Sequence, residues 1–170
     1  MAIAARIKQD YHGLEGRHLL HIYIDGDACP VKQETYKVAE RYGLEVTVVA
    51  NSWMRVPGAS WLKLVVVEKE LDSADDWIAE HAAKDDIVIT GDFPLAARCL
   101  DNEARVIGHK GRAFTEDNIS DALASRHLLT MLRDQGEMTK GPPPFTQKDR
   151  SKYLQRLDQT VNEIKRDAIP

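Results

Sequence analysis

The chain has 170 residues, enough for one domain with a continuous core, and at 43% hydrophobic and 29% charged its composition is that of a soluble globular protein. A net charge of −4 and a pI near 5.9 argue against a general nucleic-acid coat and suit an acidic pocket that takes up a cation. No stretch approaches the ~20 apolar residues of a membrane span. The first twenty residues hold Asp10 and Glu15 without a continuous apolar run, which excludes a secretory signal. Cys29 and Cys99 form neither a disulfide framework nor a metal-ligand spacing, so a reduced, cytoplasmic setting is expected.

Residues 1–19, with Gly13 and Gly16 and no clear period, read as an N-terminal extension. The first strand is expected at Leu20 to Ile24, followed by the turn Asp25-Gly26-Asp27-Ala28-Cys29 and a helix from Pro30 to Tyr42 that stops at Gly43. The second strand runs from Leu44 to Ala50 and the third from Leu62 to Glu68. The link between them, about ten residues with Pro57 and Gly58, is short for a parallel crossover. A helix over Glu70 to Lys84 is expected to take Ser73 as its cap, with Asp75 and Asp76 in its first turn. Ile87 to Thr90 is the fourth strand, Phe93 to Leu100 a short helix, and Ala104 to Gly108 the fifth strand.

His109 to Thr115 reads as a basic loop, and Thr115 caps a helix to Asp134 with a stripe of Ile119, Leu123, Leu128, Met131 and Leu132. Thr139 to Phe145 holds three prolines and must run extended. Thr146 caps a last helix to Arg166 lined by Tyr153, Leu154, Leu157, Val161 and Ile164. The alternation predicts an α/β three-layer sandwich around a mainly parallel five-stranded sheet over 20–138, with 139–170 a proline-rich linker and C-terminal helix packed on the same domain.

Asp25, Asp27, Asp75, Asp76 and Asp92 fall at strand ends or helix starts, which in such a sheet share one edge. Carboxylates held close raise one another's pKa unless a cation neutralises them, and hard oxygen donors suit Mg²⁺ or Mn²⁺. Single acids at these places also serve as caps and turn residues. Asp25 and Asp92, each closing a buried strand, are the leading metal ligands, with Asp75 third. Asp85 and Asp86 lie at the opposite strand end. Thr90 is placed to hydrogen-bond a ligating carboxylate. Cys29, at a helix start, is expected to have a lowered pKa, though without a CxxC partner or an arginine-bearing phosphate loop its better reading is structural packing.

The patterns IYIDGDACPVK, VVANS, SADDWI, ITGDFPLAARCL, GRAFTEDNI and KGPPPF together resemble the bacterial YaiI/YqxD family. That resemblance implies a PIN-like domain with strand order 3-2-1-4-5 and metal-binding acids for RNA cleavage. It matches Asp25 to the first-strand acid, Asp75 to the acid opening the middle helix and Asp92 to the acid after the fourth strand. The further acid that many PIN nucleases carry has no match here, and Asp27 or Asp76 stands in for it. The C-terminal helix is additional, a lid or a homodimer arm.

For a single-stranded RNA substrate the candidate contacts are Lys32, Asn51, Trp53, Arg55, Arg112 and Arg126. Trp53 would stack a base, and Lys110, Arg133, Lys140, Lys148 and Arg150 would extend a basic track. Two other readings stand beside the nuclease. One is a non-catalytic RNA- or protein-binding module with a degenerate site. The other is a haloacid-dehalogenase-like phosphatase with Asp25 as nucleophile of a DxD motif, for which the spacing of Thr90 and Asp92 is poor.

Overall fold

Alternation along the central strands divides the apolar residues between two faces of one sheet. The structure, a computed structural model, describes residues 19–169 except 69, 71, 139, 140 and 142. The N-terminal extension over 1–18 and Lys140 therefore lie outside the described residues.

The strands are β1 (His21–Asp25), β2 (Glu45–Ala50), β3 (Leu62–Val66), β4 (Ile87–Ile89), β5 (Arg105–Ile107) and β6 (Ala113–Phe114). The helices are α1 (Lys32–Tyr42), α2 (Ser73–His81), α3 (Phe93–Asp101), α4 (Glu116–Asp134) and α5 (Gln147–Asp167). Among the described residues the sheet order is β3-β2-β1-β4-β5-β6, and only β6 runs antiparallel to its neighbour. The five-stranded expectation is thus corrected to six. The segment read as a basic loop turns back at Gly108 and Gly111, whose φ of 85° suits glycine, and Gly108 N–H donates to the Arg112 carbonyl at 2.8 Å. Two residues of pairing follow, too few to leave a periodic signal.

Ile22 and Ile24 of β1, Val46 and Val48 of β2, Ile87 and Ile89 of β4 and Ile107 of β5 face α1 and α5. Tyr23, Val49, Val88 and Val106 face α2, α3 and the start of α4. Three layers result. β2 and β3 pair in parallel across the short link, Val46 opposite Leu62. No helix is needed there because Met54, Val56, Ala59 and Trp61 of the link pack on the α1 side themselves. Trp61 meets Tyr36 edge-on with centroids 6.4 Å apart.

Thr115 and Thr146 cap α4 and α5 as expected, each in a reciprocal capping box, with Asn118 and Asp149 respectively. Ser73 does not cap α2. Asp72 holds that position at φ 64°, without a side-chain cap hydrogen bond, and Ser73 is the first helical residue. The stripe expected along α4 is also corrected. Ile119 and Ala122 are buried, whereas Leu128 and Met131 are exposed. Nine residues separate Ile119 from Leu128, about half a turn off register at ~100° per residue, so they never shared a face. Among the described residues no helix is long and apolar enough to cross a membrane.

Candidate metal centre

The strand period decides which side chains reach one another at the carboxyl edge. Position 25 has the parity of Tyr23, 51 that of Val49 and 90 that of Val88, so Asp25, Asn51 and Thr90 all belong to the face covered by α2 and α3. β1 and β4 are neighbours at the point where the chain reverses its order across the sheet, the usual ligand crevice of such folds. α2 brings Asp75 to the same edge from its first turn, and α3 brings Asp92 there as its cap.

A cavity of about 490 Å³ opens there, lined by Asp25, Asp27, Ala28, Asn51, Glu70, Asp72, Ala74 and Asp75. The Thr90 hydroxyl donates to Asp25 Oδ2 at 2.9 Å and accepts from the Asp92 N–H at 3.0 Å, tying the two strand-end acids together. Asp92 Oδ1 accepts from Leu95 N–H at 2.9 Å as the cap of α3. Asp27 accepts from the Asn51 backbone N–H and, at 2.9 Å, from its side-chain amide, which clamps the β1 turn to the end of β2.

Negative charge is concentrated here, and the Arg98 charge offsets it only in part at Asp75. The Asp75 carboxyl is pushed up to about 6, first by burial and then by the charges of Asp92, Asp25 and Asp72. Asp25 is likewise raised by burial and by Asp92 and Asp27, against the Thr90 hydrogen bond. Asn51 Oδ1 is buried with no hydrogen-bond partner, an oxygen with a lone pair to offer. This donor set of carboxylates and an orphaned amide oxygen fits a hard divalent cation. Among the described residues no three Asp, Glu, His or Cys side chains are already gathered to hold a metal ion. Mg²⁺ commonly keeps several waters and takes only one or two carboxylates directly, which such a spread of acids can supply.

The Asp75 shift fixes a sign. Its folded pKa lies above the ~4 of an unfolded aspartate, so between pH ~4 and ~6 the folded chain binds the extra proton. In chelator, stability from this group is complete below pH ~4 and is lost as pH rises through ~6. The melting temperature of wild type relative to Asp75→Asn is therefore expected to fall over that window. Identical pH slopes for the two chains would contradict it.

The remaining candidates separate. Asp76 points to Arg98, paired at 2.7 Å on the surface, and does not line the cavity. Lys32 Nζ donates to the Gly26 and Cys29 carbonyls at 3.0 and 2.9 Å, so it braces the turn that carries Asp25 and Asp27. Trp53 is 75% exposed, two residues beyond Asn51. Arg55 lines a smaller hollow of about 300 Å³ with Gln33, Val56, Pro57 and Gly58. Arg112 lies over the Phe114 ring, Arg126 and Lys148 are exposed, and Arg133 is exposed near the end of α4. Lys110 donates to the Pro143 carbonyl, and Arg150 pairs with Glu34 at 3.0 Å. The Cys29 thiol is pushed up to about 11 by burial, the reverse of the lowered value expected for a helix start.

Three participants escaped the sequence reading. Glu70 and Asp72 line the cavity but read as helix-start residues, and the positive φ at Asp72 has no sequence signal. His109 follows β5 and packs on Gly91, where a Cβ would stand 3.2 Å from the imidazole Cε1. Burial, then the Lys32 charge, lowers its pKa and keeps the ring neutral. It fixes the turn carrying Asp92 from the α1 side.

A family profile described as "Uncharacterized BCR, YaiI/YqxD family" matches residues 23–163. The chain is similar to a UPF0178 protein of Parvibaculum lavamentivorans, 53% identical over 152 residues that cover 89% of this chain and 100% of that one. UPF0178 proteins of Paramagnetospirillum magneticum and of Caulobacter sp. (strain K31) are each 53% identical over 145 residues, 85% of this chain and 96% of theirs. No solved structure matches it.

Proposed function

The chain belongs to the YaiI/YqxD family, and from that premise we propose that it is a PIN-like, Mg²⁺- or Mn²⁺-dependent phosphodiesterase that cleaves single-stranded RNA. The observation that carries this reading is that Asp25 and Asp75 line one cavity at the carboxyl edge, while Asp92, tied to Asp25 through the Thr90 hydroxyl, disfavours the charge of both. The strand order β3-β2-β1-β4-β5 and the position of these acids at its switch point support the PIN-like assignment.

Asp25, Asp75 and Asp92 would hold the ion, with Asn51 Oδ1 as a neutral oxygen donor. A divalent cation bound there supplies an acidified water and neutralises charge on a phosphodiester. Thr90 keeps Asp25 aimed by donating to Oδ2, leaving Oδ1 for coordination. Asp92 uses Oδ1 on the α3 cap and keeps Oδ2 for the site. Asp27, held by Asn51 at the cavity wall, is the acid placed to accept a proton from a water in the cavity. The ion pair of Asp76 with Arg98 leaves it outside this chemistry. Trp53 offers an open aromatic face for a base, and Arg55 a cation for the backbone beyond it. Lys32 acts on the turn and not on phosphate.

The test is cleavage of end-labelled single-stranded RNA by the pure chain with Mn²⁺ and with chelator. Cleavage that requires the ion supports the reading. RNA bound tightly in chelator and never cut favours a binding module, the alternative to which the absence of a gathered three-ligand set among the described residues lends weight. Cleavage equal in chelator would end the metal mechanism.

A further inference from the structure

α4 begins as part of the domain and ends outside it. Ile119 and Ala122 are buried against α3 and the sheet, but from Ala124 to Met138 every residue is exposed except the half-buried Leu132. The second half of the helix thus projects about 16 Å at 1.5 Å per residue, on the strength of its own hydrogen bonds. A helical segment that short is marginal in water unless something packs on it. It is also apolar: Leu128 is 58% exposed, Met131 45%, Leu129 41%, and Met138 just beyond is fully exposed. Half of the large hydrophobic side chains exposed among the described residues lie in this one segment, the kind of patch that marks an interface.

What covers it is written in its charges. Residues 124–138 carry Arg126, Arg133, Asp134 and Glu137, a balanced set that favours neither a basic nor an acidic partner. His127 and Asp134 are seven residues apart and so flank the same side of the Leu128–Met131 stripe. Leu129 and Leu132 lie on the other side. A second copy laid antiparallel about a two-fold axis midway between Thr130 and Met131 satisfies both flanks at once. His127 then faces Asp134 of the other copy on one flank, Leu132 edges the other flank, and Leu128 and Met131 interleave along the centre. The register that pairs His127 with Asp134 also centres the apolar stripe, and a two-fold interface must be self-complementary in this way.

We infer that α4 is a homodimerisation helix, joining two copies of this chain through residues 127–134 in antiparallel register. The apolar stripe of α5, by contrast, is buried in its own domain, with Tyr153, Leu157 and Val161 fully covered. The inference does not depend on the acidic cavity or on any activity.

Sedimentation of the full chain from about 1 to 300 μM tests it, a range suited to a helix pair at the small end of specific interfaces. Wild type is expected to pass from monomer to dimer. Leu128→Glu, at an exposed position, should raise the dissociation constant about a hundredfold or more, each copy losing a buried leucine, with a melting curve unchanged at concentrations where both chains are monomers. His127→Asp should weaken association, and the swap His127→Asp with Asp134→His should restore it. A wild type monomeric throughout, its patch then left to another protein, would overturn the inference. So would a dimer indifferent to Leu128→Glu, or a swap that restores nothing.

Discussion

Asp25→Asn is expected to lose at least about 100-fold of metal-dependent cleavage while making the metal-free protein melt at a higher temperature. Loss of an outer-shell partner alone lowers metal affinity ~10- to 100-fold, and a direct ligand must exceed that. The gain in melting temperature has a different origin. Burial and the neighbouring Asp92 and Asp27 disfavour the ionised Asp25 carboxyl, and the amide is neutral and nearly the same shape. Its oxygen still accepts from Thr90, so no donor is orphaned. The opposite signs separate a ligand from a structural acid, whose removal would lower both quantities. Asp76→Asn is the control, because a surface pair such as Asp76–Arg98 contributes no more than ~1 kcal/mol and lies outside the cavity. Activity retained in Asp25→Asn, or a melting point that drops in chelator, would remove the proposed centre.

Much of this site was legible because its acids sit at places the sequence marks. Asp25 and Asp92 end apolar strand runs, and Asp75 sits in the first turn of a helix whose cap signal is strong. In a parallel sheet those three places share one edge whatever the detail of packing. Asp76, the weaker of the two neighbouring helix acids, falls outside, because helical position separates neighbours by ~100°, and one residue of rotation turned it to Arg98. Lys32 departs from its expected phosphate contact for a related reason, and Cys29 is the packed residue that was the better reading of it. A cation or thiol at a helix start is electrostatically suggestive, yet two carbonyls bind the lysine and burial neutralises the cysteine. Glu70, Asp72 and His109 join through backbone placement and close packing, which no local pattern announces. The sixth strand was missed because two residues carry no period. The apolar stripe of α4 departs from its expected form because only the first half of the helix packs on the domain, through Ile119 and Ala122.

Leu157→Ala is expected to destabilise the domain by about 2–5 kcal/mol, the range for deleting a fully buried leucine side chain. At roughly 2–4 °C per kcal/mol for a chain of this size, the melting temperature should fall visibly in a thermal scan. The reason is that α5, reached through a proline-rich segment, is a layer of the core and not an appendage. Leu157 packs in the cluster that holds Ile22, Ile24 and Ile107. Tyr153 beside it is fully buried, its hydroxyl 2.6 Å from that of Thr35 on α1, which in turn donates to the Val31 carbonyl. Gly111 sets how closely the β5–β6 turn meets the helix, since a Cβ there would lie 2.7 Å from the Lys152 backbone. Tyr153→Phe should therefore cost less than Leu157→Ala, about 1–2 kcal/mol, because Thr35 keeps its bond to Val31. α1 starts seven residues after Asp25, and Lys32 in its first turn holds the carbonyls of the acidic turn. Loosening α5 frees α1, and the metal affinity of Leu157→Ala should weaken along with its stability. A melting temperature equal to wild type would mean that the sheet is complete without this helix.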